Sequence, residues 1–298
     1  MHAGVLSAAL AYICWGIFPL YFKLLASIGA LEVVAHRIVW SLLFLLAVLA
    51  ARRQWGWLHQ VLRRPKVLAG FAVSALLLSA NWITYIWAVT HDHVIDASLG
   101  YFITPLLNVL LGCTFLRERL RATQWTAVAL AGAGVLWLAV QGGQLPWIGL
   151  VLGFSFAGYG LLRKIAVLGS LEGLTLETMV LAPLALAMLG WSAAQGTSAF
   201  PADSALVNAL LVGVGPVTAI PLLLFATGAR RISMSTLGLL QYLGPSLQLM
   251  LGVWLFHEPF APARMVGFSL IWFALLVYSI DGWRNRAALP RGPVFEPE

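Results

Sequence analysis

The chain has 298 residues, 61% of them hydrophobic and only 10% charged, where a soluble domain carries about 25% charged residues. So few charges cannot cover a water-soluble surface, and disorder, which needs low hydrophobicity and high net charge, is excluded as well. The 18 Lys and Arg give a net charge of +7, but they never cluster with polar residues in a soluble segment, so nucleic acid is not an expected partner.

A spanning helix with its turn takes roughly 25–30 residues, which leaves room for about ten. The first apolar stretch, from about Gly4 to Ala26, lacks a basic start and is followed almost at once by a second, so it reads as a retained helix, not a leader. Further spans are expected at about 31–51, 67–90, 95–116, 123–141, 147–168, 171–194, 204–228, 234–256 and 262–282. No long alternation suggests a barrel. Cys14 and Cys113 both lie in apolar stretches and offer neither a disulfide framework nor a metal spacing. The tail from Arg284, with Pro290, Pro293 and Pro297, is expected to be disordered.

The basic residues set the orientation. Alternate loops hold Arg52, Arg53, Arg63, Arg64 and Lys66, then Arg117, Arg119 and Arg121, then Arg163 and Lys164, then Arg230 and Arg231, then Arg284, Arg286 and Arg291. The intervening loops hold none; Lys23, Arg37 and Arg264 lie in or at the ends of spans. The basic side is expected to be cytoplasmic, with both termini inside.

The chain also repeats itself. At an offset of 140, Lys23 pairs with Arg163, Gly29 with Gly169, Glu32 with Glu172, Pro105 with Pro245, Gly112 with Gly252 and Glu118 with Glu258. Residues 1–142 and 143–283 then form two five-helix repeats, with 284–298 as a cytoplasmic tail. Five is odd, so the second repeat enters the membrane from the opposite face, an inverted repeat as in many secondary transporters. The expected fold is an all-α membrane protein of ten transmembrane helices. The segment Leu116–Arg121 carries three arginines, and its counterpart Phe256–Ala261 carries none, as an outward-facing copy requires.

Several segments resemble a known family: Ala11–Leu25, Asn81–Val89, Ala97–Leu120, Phe154–Lys164 and Ser235–Phe260 are similar to the RarD group, in the EamA branch of the drug/metabolite transporter superfamily. The resemblance covers residues 4–283. It implies ten helices in two EamA-type repeats, a permease of the bacterial inner membrane, and a link to chloramphenicol sensitivity.

Intramembrane charges are expensive, about 2.5–3.5 kcal/mol each on insertion scales, so each needs a reason. Lys23 reads either as a headgroup-directed side chain or as a cation facing a central cavity. Glu32 and His36 are four apart and share a helix face with Arg37 close by. They form either a local ion pair or a site in which Arg37 meets substrate and Glu32 or His36 titrates. Glu177 occupies the repeat position of Arg37 and is a gate or proton-coupling candidate, against a helix-start role for it and Glu172.

Asn81, Trp82 and Tyr85 are either a polar group with aromatic walls or a helix–helix hydrogen bond with lipid-facing tryptophan. Tyr101, Thr104 and Asn108 form one stripe, and Gln241, Tyr242 and Gln248 lie on the related span, so together they suggest an aqueous path. Pro19, Pro105, Pro216, Pro221 and Pro245 are candidate helix breaks. Gly149, Gly153, Gly132 and Gly134 read as helix packing. His91, Asp92, His93 and Asp96 read as a solvated loop, and no metal or cofactor is expected.

No nucleotide-binding motif is present, so the expected function is a secondary-active exporter of small polar or amphipathic metabolites or drugs, working by alternating access. Its partners are the substrate and membrane lipids, as a monomer or homodimer. The alternatives are an intramembrane lipid-modifying enzyme, for which the acids are too scattered, and a non-transporting signalling or scaffold protein.

Overall fold

A computed structural model describes residues 2–53, 55–141, 147–258 and 262–284; the side chains of His2, Ser235, Leu239, Ala263, Arg264, Leu275, Ser279, Gly282 and Trp283 are outside the description. The expected tail beyond Arg284, the loop 142–146 and the side chain of Arg264 therefore lie outside the described residues.

The described chain is all helical: α1 (His2–Gly16), α2 (Phe18–Lys23), α3 (Ala30–Arg52), α4 (Gly56–Leu62), α5 (Pro65–Thr90), α6 (Val94–Phe115), α7 (Ala122–Gln141), α8 (Trp147–Ile165), α9 (Ser170–Ala194), α10 (Ala205–Arg231), α11 (Met234–Gln241), α12 (Leu243–Met250), a π-helical turn Leu251–Leu255, and α13 (Pro262–Arg284). Among the described residues, eight stretches are long and apolar enough to cross a membrane, with α1 and α2 counted as one (Ala3–Lys23). The segments α11–α12 and α13 occupy the expected ninth and tenth positions, so the architecture is compatible with ten spans.

Two expected helices are broken and one short helix is added. The first span breaks at Ile17, just before Pro19 in the first turn of α2. The ninth breaks at Tyr242, three residues before Pro245, and ends in the π turn, where Phe256 N–H donates to Leu251 O at 2.9 Å. By contrast α6 runs unbroken through Pro105, and α10 through Pro216 and Pro221. These prolines stay inside continuous helices; a proline removes one backbone bond but need not end a helix whose neighbours hold it. Residues 56–62, expected in a loop, form the short helix α4.

Small residues set the closest crossings. A Cβ on Gly100 would lie 2.8 Å from Gly149 Cα, which welds α6 to α8. A Cβ on Gly134 would lie 2.7 Å from Gly267 O, which joins α7 to α13 as an outer pair. Gly132 has nothing within 4 Å of its Cβ direction and is no packing site. Inside, α1 packs on α10 and α8 on α5; α3 meets α9 and α6 meets α11.

The loop ends are tied by side chains. At one end Glu258 accepts from Val94 N (3.2 Å) and Ile95 N (3.0 Å), at the start of α6. At the other end Glu118 accepts from Met234 N (2.9 Å), at the start of α11. A carboxylate at a helix N-terminus satisfies free amides and opposes the dipole. Each glutamate directly follows a left-handed residue, Arg117 (φ 53°) and His257 (φ 52°). Burial pushes the Glu258 carboxyl up, while the two amides pull it back.

Candidate functional site: a central aromatic cavity with one buried arginine

Residues beside the two breaks, Phe18, Gly244 and Pro245, line a space within the bundle. A cavity with about 490 Å³ of unfilled space, its mouth included, lies between nine helices. Tyr12, Trp15 and Phe18 wall it from α1 and α2, and Asn81, Trp82 and Tyr85 from α5. Tyr101, Phe156 and Leu222 face it from α6, α8 and α10. Gln241, Gly244, Pro245 and Gln248 close it from α11 and α12, and Arg37 enters from α3.

Arg37 is 2% exposed. Its guanidinium carbon lies 4.2 Å from the Trp82 ring centroid and 5.5 Å from that of Phe22. Its Nε and one Nη make no hydrogen bond. The expected local ion pair on α3 is not formed. Glu32 turns to the far loop and accepts from Ala199 N at 2.6 Å, while His36 Nδ1 accepts from Trp40 Nε1 at 3.3 Å and its ring lies against Phe200. Glu32 and His36 thus both face the 198–200 segment, and of the three only Arg37 lines the cavity.

Asn81 combines the two roles that its sequence context offered. Its amide donates to Leu152 O and Ser155 Oγ, both 3.1 Å, tying α5 to α8, and its carbonyl accepts from Tyr101 OH at 3.2 Å on the cavity wall. Trp82 is 3% exposed, so it does not face lipid. The polar stripes of α6 and α11–α12 meet each other: Asn108 donates to Gln241 Oε1 at 2.8 Å. Gln248 donates to Trp15 O at 3.0 Å, at the broken end of α1.

Other expected site residues lie elsewhere. Thr104 donates to Gly100 O within its own helix. Tyr242 packs with Phe102 and Phe268, on the side facing α13. Lys23 ends α2, pairs with Asp92 and sits over the Phe256 ring at 5.1 Å. Lys23 holds the exposed Asp92 carboxyl below the usual carboxylate range. His91 meets Trp87 O and His93 meets Asp96, each at 2.9 Å.

Glu177 is wholly buried in a second polar cluster, near the opposite end of the bundle from Lys23. It accepts from Ser74 Oγ at 2.6 Å and faces Arg163 at 3.7 Å. Arg163, read from sequence as a loop cation, is instead fully buried in the last turn of α8, donating to Gly169 O and Ser170 O at 3.2 Å and lying over Phe71. Its offset-140 match with Lys23 was the available signal that it is not an ordinary loop residue. The aromatic wall of Tyr12, Trp15, Phe18 and Phe156 was also missed, although Tyr12, Trp15 and Phe18 recur at a helical spacing of three.

A polar, aromatic cavity at the centre of an apolar helix bundle is the setting in which family membership becomes informative. Residues 2–140 match the EamA-like transporter family. The RarD protein of Streptomyces exfoliatus is 48% identical over 284 residues, covering 95% of this chain and 90% of that protein. The chain belongs to the RarD group of EamA-like transporters. An uncharacterized transporter of Pseudomonas aeruginosa is 45% identical over 291 residues, covering 98% of both chains. A solved crystal structure aligns with a TM-score of 0.69 at 20% identity, covering 94% of this RarD-group chain and 99% of the other, a likeness of fold alone.

Proposed function

We propose that this RarD-group protein is a secondary-active exporter of small polar or amphipathic molecules that works by alternating access around the central cavity, and that it is not an enzyme. One observation carries the reading: a single buried guanidinium and several amide and hydroxyl groups converge, from helices far apart in sequence, on an otherwise aromatic cavity. Such a site binds small molecules. Midplane sites at broken helices are the habit of secondary transporters.

The two halves, 1–142 and 143–283, act as inverted repeats in this reading. Matching contacts support it: α1 on α10 mirrors α8 on α5, and Glu118 at Met234 mirrors Glu258 at Val94, with every position shifted by 140. Lys23–Asp92 closes one end of the path and Arg163–Glu177 the other, with Glu177 as the candidate proton-coupling group. In this reading both termini lie in the cytoplasm of a bacterium and the protein in its inner membrane, which the basic loops support.

Comparing the metabolites inside and outside cells with and without the protein identifies the solute. In proteoliposomes that solute is expected to show saturable counterflow, slowed at least about tenfold, or about 1.4 kcal/mol, by Asn81→Ala. Absence of counterflow by every solute whose distribution changes contradicts the reading. Chloramphenicol susceptibility of the same pair of cells tests the phenotype that the resemblance implies.

A further inference from the structure

We propose that the cavity takes an organic anion with a flat apolar body, its carboxylate seated on the Arg37 guanidinium. This narrows the substrate class of the site above and rests on the transporter reading.

Two arginines of this chain, Arg37 and Arg163, are buried. A buried cation is destabilising unless it is paired. Arg163 meets that requirement inside the protein, with Glu177 and two backbone carbonyls around it. Arg37 is almost equally buried, at 2% exposure, yet no carboxylate of the described residues lies within 4.0 Å of it. Glu32, the acid nearest in sequence, is committed to Ala199. The face of Trp82 attracts the cation, but this attraction is weaker than the desolvation it opposes. Two donors, Nε and one Nη, remain without a partner. Among the described residues Arg37 is also the one ionised side chain lining the cavity, so no carboxylate of that lining opposes its charge. An arriving carboxylate supplies the missing charge and accepts from the fork of donors.

The rest of the wall describes the body of the ligand. Ring follows ring away from Arg37: Phe22 to Tyr85 at 6.1 Å, Tyr85 to Tyr101 at 5.8 Å, Tyr101 to Phe156 at 6.2 Å, and Phe156 to Trp15 at 5.2 Å. A planar apolar group is bound by such a surface. Tyr85 OH, Gln241 Nε2 and Gln248 Oε1 are buried on the same wall without partners and suit one or two polar substituents.

Matched probes isolate the charge. Phenylacetate, benzoate and indole-3-acetate are each compared with the corresponding amide for binding to the purified full-length protein. Each carboxylate is expected to bind at least about tenfold tighter than its amide, which is about 1.4 kcal/mol. Arg37→Gln should abolish that preference, and Arg37→Lys, which keeps the charge, should retain part of it. Equal binding of acid and amide, an unchanged preference in Arg37→Gln, or no binding by any of the acids overturns the proposal. Binding of phosphatidylglycerol but of no carboxylate also overturns it, because a lipid headgroup is then the anion. Saturable counterflow of another solute without carboxylate preference removes the anion site and leaves the transporter standing. Carboxylate preference without flux does the reverse.

Discussion

Glu177→Ala is expected to destabilise the protein by about 3–5 kcal/mol, the usual effect of removing one partner from a buried ion pair. Both Glu177 and Arg163 are fully buried, so solvent does not screen the charge that remains. After the substitution Arg163 keeps its bonds to Gly169 O and Ser170 O but loses its counter-charge, and Ser74 Oγ loses its acceptor. Removing both charges, as in Arg163→Met with Glu177→Leu, should recover more than half of the loss, because no uncompensated charge is left behind. Unfolding of the purified single and double variants in denaturant measures both values. A single variant as stable as the parent contradicts the pairing of Arg163 with Glu177.

Gly215→Ala is expected to cost about 1–3 kcal/mol by overpacking and to abolish solute binding. A Cβ at Gly215 would lie 2.4 Å from Trp40 C and 2.6 Å from Trp40 O, and backbone atoms cannot step aside as a side-chain tip does. The methyl group must push α3 away from α10 and weaken the bond from Ser41 Oγ to Gly215 O, now 3.1 Å. Arg37 lies one turn before Ser41 on the displaced helix and would leave its place over Trp82. Gly132→Ala is the control. Its Cβ meets nothing within 4 Å, so the expected change is neutral or stabilising by up to about 1 kcal/mol through better helix propensity. Thermal unfolding and ligand binding of the two variants, side by side, separate a packing effect from a general intolerance of glycine replacement.

Much of the fold was legible from hydropathy, because a membrane demands long apolar helices. Apolar runs placed the helices to within a few residues, and the offset of 140 marked Glu118 and Glu258 as a matched pair of residues. What those glutamates do was not legible. Capping Met234 and Val94 depends on loops reaching distant helix starts, contacts separated by 116 and 164 residues. The breaks were only half legible. Proline content flags Pro19, Pro105, Pro216, Pro221 and Pro245 alike, yet only the chain beside Pro19 and Pro245 breaks, since tertiary packing decides which helices stay whole.

Arg163 was misplaced because a basic residue at the end of an apolar run looks like a loop cation until its acid, 14 residues on, is seen folded back against it. Among the expected site residues Arg37, Asn81, Trp82, Tyr85, Tyr101, Gln241 and Gln248 do line one cavity. Helix faces carried that information. Which face of each helix turns inward is set by neighbours, and so Thr104 and Tyr242, on the same helices, lie outside it.

Alternating access is tested most directly at Leu222, an apolar cavity residue whose replacement removes no polar contact. With Cys14 and Cys113 first replaced, Leu222→Cys should react with a membrane-impermeant thiol reagent applied to either face of sealed vesicles. Leu45→Cys, buried in the core and absent from the cavity wall, should react from neither. Reaction of Leu222→Cys from one face only, however long the exposure, would contradict a site that opens in turn to both sides.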